Sequence, residues 1–169
     1  MTARHRGFTL IEVLLVVIIL GIIASIALPR LSNASATAKA SMLMDDLRLM
    51  RTQIMVYKGQ HCGVSPGHPD GNPATPATQD VFIAQMTKPS NVGGETAEVR
   101  SPEFRYGPYL SEMPPNPVNN KITIQIVGED EEFPSEGDSS HGYIYQPSTL
   151  ILRADSPGAD QAGKLYFDY

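Results

Sequence analysis

The sequence predicts an α+β fold: a long N-terminal helix, membrane-spanning in its first half, packed on a small C-terminal antiparallel sheet. Three observations predict it. Residues 8–28 form one dense apolar block. Residues 31–58 hold no proline or glycine and carry a single apolar stripe. Residues 59–169 are polar and turn-rich, with 13 of the 14 prolines, and end in short β-branched runs.

The first element begins at Phe8, after a short charged start, Met-Thr-Ala-Arg-His-Arg-Gly. A run of about 20 apolar residues is what a helix needs to cross the hydrocarbon core. Arg4 and Arg6 before it keep the N-terminus cytoplasmic by the positive-inside rule. A secretory signal peptide is a poorer fit, because its apolar run is shorter and Ala24-Ser25-Ile26-Ala27 is a weak cleavage match. A plain signal anchor leaves Glu12 unexplained. A carboxylate within a membrane helix costs about 2.5–3.5 kcal/mol on insertion scales. No basic residue lies within a helical turn of Glu12. If the chain is cut after Gly7, however, a new α-ammonium appears on Phe8 and supplies a partner, most usefully to a neighbouring subunit. The alternative is that Glu12 snorkels at the interface.

The stretch Arg6-Gly7-Phe8-Thr9-Leu10-Ile11-Glu12-Val13-Leu14 resembles the processing motif of type IV pilins and type II secretion pseudopilins. The resemblance implies cleavage between Gly7 and Phe8 by a prepilin peptidase, N-methylation of Phe8, and a role for Glu12 in assembly. It also implies a helix-interrupting proline where Pro29 stands. Physical reasons suit these residue types. Glycine lets the backbone approach the peptidase closely. The apolar run holds subunits in the membrane until neighbours cover it. Pro29 removes one helical hydrogen bond and gives a place to bend.

The helix is expected to continue through residues 29–58. Ala36, Ala40, Leu43, Leu47, Met50, Ile54 and Tyr57 recur at spacings of four and three, which is one face of a helix. Lys39, Asp45, Arg48 and Arg51 fall off that face. Gly59, after Lys58, reads as the C-terminal cap. The stripe is expected to dock the sheet formed by the rest of the chain, with a coiled coil to another chain as the alternative.

In the head, residues 59–78 read as turns. Residues 80–87 suit a short helix capped by Thr78 or Asp80. Residues 88–121 read as loop, with Pro114-Pro115-Asn116-Pro117 rigid. Residues 122–127 alternate and read as a strand, and 142–146 with 149–154 as a hairpin around Pro147-Ser148. The order of helix, long loop and C-terminal sheet resembles the major pseudopilin of type II secretion. The domain plan is therefore a leader at 1–7, a transmembrane helix at 8–28, an amphipathic continuation at 29–58 and a periplasmic or extracellular head at 59–169.

Charge narrows the function. Residues 59–169 hold six Lys/Arg against fifteen Asp/Glu, a net −9. That argues against nucleic-acid binding, which needs basic patches. Cys62 is the single cysteine, so no internal disulfide forms; it reads as a small buried or half-buried residue. His61, Cys62 and His68 could ligate a soft metal but lack an obvious fourth ligand. Major pseudopilins bind calcium in a C-terminal loop. Asp155 and Asp160 are the candidate Ca2+ ligands here, near Asp168, with Glu129, Asp130, Glu131, Glu132, Glu136 and Asp138 as a second acidic loop. Neither loop has a standard ligand spacing, and solvated acidic loops are the alternative. No nucleotide-binding glycine motif is present, and His141 beside Ser139-Ser140 reads as a turn, so no enzyme is expected.

The function expected is a structural subunit of a type II secretion pseudopilus. It would sit in the bacterial inner membrane, processed by prepilin peptidase, and polymerise with further copies, minor pilin-like subunits and an inner-membrane assembly platform. The alternatives are a subunit of a type IV surface pilus, or an unassembled membrane-tethered binding protein.

Overall fold

A computed structural model describes residues 9–169, with the side chains of residues 26–33 outside the description. The expected cut between Gly7 and Phe8 and the expected bend at the Pro29 side chain lie outside the described residues. The chain divides into two units, 1–38 and 39–169. Helix α1, Leu10–Gln60, contributes its first part to one unit and its second part to the other.

In the second unit, the stripe becomes core. Leu43, Leu47, Met50, Ile54 and Tyr57 are fully buried, and Ala40 nearly so. Burying each large aliphatic side chain contributes about 1.5–3 kcal/mol. They meet Phe82 and Met86 of α2 (Gln79–Thr87), with Leu110 and Met113 from the long loop. Thr78 caps α2 by accepting the Val81 N–H at 3.4 Å, one of the two expected caps.

α1 ends one residue beyond the expected cap. Gly59 stays helical, and the left-handed turn falls at Cys62 (φ 54°) and Gly63 (φ 82°). His61 explains the delay. Its ring stacks on Tyr57 one turn earlier at 3.8 Å and 6°, and its main-chain N–H continues the helical pattern to Tyr57 O. The Gly63 N–H then closes the end on Lys58 O at 3.0 Å. Cys62 is exposed, contrary to expectation. His61 takes the buried place at this turn, and Cys62 occupies its left-handed, outward position.

The sheet has three strands, β1 (Ile124–Ile126), β2 (Tyr143–Gln146) and β3 (Ile151–Ala154), in the order β1-β2-β3. β2 and β3 are antiparallel, as the hairpin predicts, but β1 pairs parallel to β2. The expected antiparallel sheet is thus mixed. The reason is the connection: residues 127–142 are long enough for the crossover that a parallel pair requires, where a tight turn would have forced a hairpin. Side-chain alternation on β2 then makes two layers. Tyr143 and Tyr145 face the α1 stripe, while Ile144 joins Val127 and Phe167 in a second small cluster, with Phe133 packed against it.

Candidate functional site

The first described turn of α1 is built around Glu12. Thr9 and Glu12 exchange hydrogen bonds: the Glu12 N–H donates to Thr9 Oγ1 at 3.3 Å, and the Thr9 N–H donates to Glu12 Oε2 at 3.0 Å. The Thr9 hydroxyl donates to the same oxygen at 2.9 Å. This is a capping box, which satisfies donors that a helix start otherwise leaves free. Reading Glu12 only for a cationic partner overlooked Thr9, although the Thr-x-x-Glu spacing of residues 9–12 carries the signal.

Glu12 is surrounded by apolar side chains with nothing on them. From Leu10 to Ile23 every large apolar residue is between 47% and 85% exposed. Among the described residues no helix is long and apolar enough to cross a membrane. The described side chains of the apolar block stop at Ser25, short of its end at Leu28.

In the head, Asp155 is fully buried and its carboxylate is committed to protein donors. Oδ1 accepts the N–H groups of Asp138 and Ser139 at 2.7 and 3.1 Å. Oδ2 accepts the His141 N–H at 2.7 Å and the Ser140 hydroxyl at 3.1 Å. Asp155 therefore pins the end of the acidic loop onto β3. Asp160 works similarly on the last segment, accepting from Ala162 N–H at 2.8 Å, Lys164 N–H at 3.0 Å and the Tyr169 hydroxyl. The Tyr169 hydroxyl, first, and these amides hold its carboxyl below the usual range. Tyr169 is pushed up to about 12, by burial first and by Asp160 second. Among the described residues no three His, Cys, Asp or Glu side chains are grouped to hold a metal ion.

Ser140, His141 and Asp155 do meet, but in an order unsuited to nucleophilic catalysis. The Ser140 hydroxyl donates to Asp155 Oδ2 at 3.1 Å and lies 2.8 Å from His141 Nδ1. A general base would have to accept that hydroxyl proton. Asp155 reaches His141 through its main-chain N–H and not through the imidazole.

His61 is closed to a metal as well. Nδ1–H donates to Tyr57 O at 2.8 Å, and Nε2 accepts from the Ser90 hydroxyl at 3.0 Å. Burial lowers its pKa, against the opposing hydrogen bonds to the main chain of Tyr57 and Asn91. His68 is buried too, with Nδ1–H donating to Thr75 O at 2.8 Å.

Comparison with known proteins places the chain among relatives. The family model described as the prokaryotic N-terminal methylation motif matches residues 2–28. The type II secretion system core protein G of Vibrio cholerae serotype O1 is 30% identical over 126 residues, covering 75% of this chain and 74% of that protein. The core protein G of Aeromonas hydrophila is 28% identical over 126 residues, 75% of this chain and 76% of that protein. A shorter likeness, 42% identity over 65 residues, links 37% of this chain with 42% of the type IV major fimbrial protein FimA of Dichelobacter nodosus. No solved structure matches the chain.

Proposed function

Because this chain belongs to the family of type II secretion system core protein G, we propose that it is a structural subunit of a type II secretion pseudopilus. The subunit is cut between Gly7 and Phe8 by prepilin peptidase and N-methylated on Phe8. Residues 1–7 face the cytoplasm, 8–28 cross the inner membrane, and the head at 59–169 lies in the periplasm. Assembly joins further copies, minor pilin-like subunits and the inner-membrane platform. The chain itself performs no catalysis.

One observation carries this reading: a helix whose apolar side chains are bare from Leu10 to Ile23 has a carboxylate, Glu12, in its first turn. Bare apolar surface is stable in lipid or against other copies of the same helix. In the single subunit Glu12 is satisfied by neutral donors on Thr9. Hydrolysis after Gly7 frees an ammonium on Phe8, and methylation leaves it cationic. A charge-assisted bond is roughly twice as strong as a neutral one. The neighbour's ammonium therefore displaces the Thr9 donors as subunits pack, and Pro29 provides the bend that packing needs.

Intact mass of the membrane-extracted protein tests the reading. Loss of residues 1–7 with gain of one methyl group is expected, and an unprocessed start overturns it. Glu12→Gln should leave processing intact while filaments are lost. The likeness to FimA supports a second reading, a surface type IV pilus. Deleting the gene separates the two: the pseudopilus reading requires loss of exoprotein release, whereas loss of surface filaments with normal release favours the pilus.

A further inference from the structure

We propose that the cleft beside β1 binds an extended peptide segment of a partner protein that carries a lysine or arginine side chain. The cleft has a volume of about 400 Å³ and is lined by His68, Pro73, Pro76, Ile126, Glu129 and Pro147, with no residue of α1. That volume is within the range of sites that hold small ligands or a short piece of chain.

Three features of the cleft fit one occupant. The first is a strand edge. β1 bonds to β2 through alternate residues: Thr123 O accepts from Tyr143 N–H, and Val127 N–H donates to Tyr145 O. Ile124 and Ile126 therefore present their main-chain groups to the other side. The Ile124 N–H is taken by Gln79 Oε1 at 2.8 Å. Among the described residues no loop or side-chain group takes up Ile126 in the same way. An extended segment laid in the cleft would pair there, as in strand addition to a sheet edge. The facing wall contains Pro73 and Pro76, which have no N–H, so it offers apolar rings and does not itself complete the ladder.

The second feature is His68, which is 4% exposed. With Nδ1–H donating to Thr75 O, its Nε2 is an acceptor, and no donor among the described residues meets it. That nitrogen is not one of the side-chain polar atoms shut off from water, so it opens to the cleft, where a donor group on an occupant can bond to it. The third feature is charge. Glu129 is exposed at the rim and begins the stretch 129–138, which holds six acidic and no basic residues. A donor that is also cationic satisfies both. The head's net charge of −9 disfavours a second copy in this position and favours a basic segment.

The test uses the full-length chain in detergent micelles and fluorescence anisotropy of two end-blocked, dye-labelled peptides, Val-Thr-Lys-Val-Thr and Val-Thr-Glu-Val-Thr. The lysine peptide should bind about tenfold more tightly than the glutamate peptide, with the gap shrinking as salt rises. Glu129→Gln, at an exposed side chain, should weaken the lysine peptide about threefold and leave the melting curve unchanged. Ala74→Arg, which fills the cleft from an exposed position, should abolish binding. Equal affinity for the two peptides, or binding of the lysine peptide unaltered by Glu129→Gln, overturns the proposal. So does self-association in sedimentation velocity that Ala74→Arg abolishes while neither peptide binds, since the occupant is then a second copy.

Discussion

His61 shows what burial does to one side chain. Its two nitrogens are matched to neutral imidazole, one donating and one accepting, and the rings of Tyr57, Tyr106 and Tyr109 pack around it. Burial therefore lowers its pKa in the native state below the ordinary 6.5. Between the lowered value and 6.5 the unfolded chain binds a proton that the native chain refuses, so stability rises with pH across that window. The contribution is fully present above 6.5 and is lost as pH falls through the native pKa. His61→Gln removes this dependence. Between about pH 7 and pH 5 the variant's Tm should fall less than that of the wild type. Asp46 works the other way, because burial, with Asp45 beside it, raises its carboxyl pKa. The informative quantity is therefore the difference between the two proteins at each pH. Identical slopes would show that His61 does not titrate differently on folding.

At the scale of elements, two glycines have opposite requirements. A Cβ on Gly142, at the entry to β2, would lie 2.2 Å from Lys121 O and 3.1 Å from Thr123 O, both main chain. This is where the crossover brings β2 beside the residues leading into β1, so the strands cannot part without losing the Gly142 N–H bond to Thr123 O. Gly142→Ala should cost about 1–3 kcal/mol by overpacking. Gly59, inside α1, has nothing within 4 Å of its Cβ direction, and Gly59→Ala should stabilise by about 0.5–1 kcal/mol. Urea unfolding of both variants measures the contrast, and a destabilised Gly59→Ala would show that the glycine serves the helix end after all. These elements also mark what the sequence made legible. The four-and-three spacing from Ala40 to Tyr57 identified the buried face of α1, because burial follows helical period directly. Thr78, α2 and the β2–β3 hairpin followed from local chemistry. The parallel pairing of β1 did not, since strand direction depends on where a long loop returns. Nor did the buried state of His61, which depends on a ring stacked across a helix turn that no local pattern announces. Of the candidate site, Glu12 was legible by its charge, but its Thr9 partner needed the capping box to be recognised.

At the scale of the molecule, the head has to stay folded while α1 still offers surface to neighbours. The two tasks fall on different faces of the helix. Leu43, Leu47, Met50 and Ile54 are spent on the core of the head. Met42, Leu49 and Val56 recur every seven residues on another face and are 58%, 48% and 40% exposed. Residues seven apart lie almost one above another after two turns, so these three form a seam that the chain covers only in part. If the seam serves packing between pseudopilus subunits, a charge in its middle should separate folding from assembly. Leu49→Glu should leave the thermal melt of the head within a few tenths of a kcal/mol of wild type, as for a surface substitution. The same change should sharply reduce filaments seen by electron microscopy and the secretion that depends on them, while cleavage of the leader proceeds normally. Leu47→Glu, two residues away and fully buried, is the control: it should unfold the head and lose filaments by that route. Normal filaments from Leu49→Glu would show that the seam faces solvent in the assembly and that contacts lie elsewhere on the head.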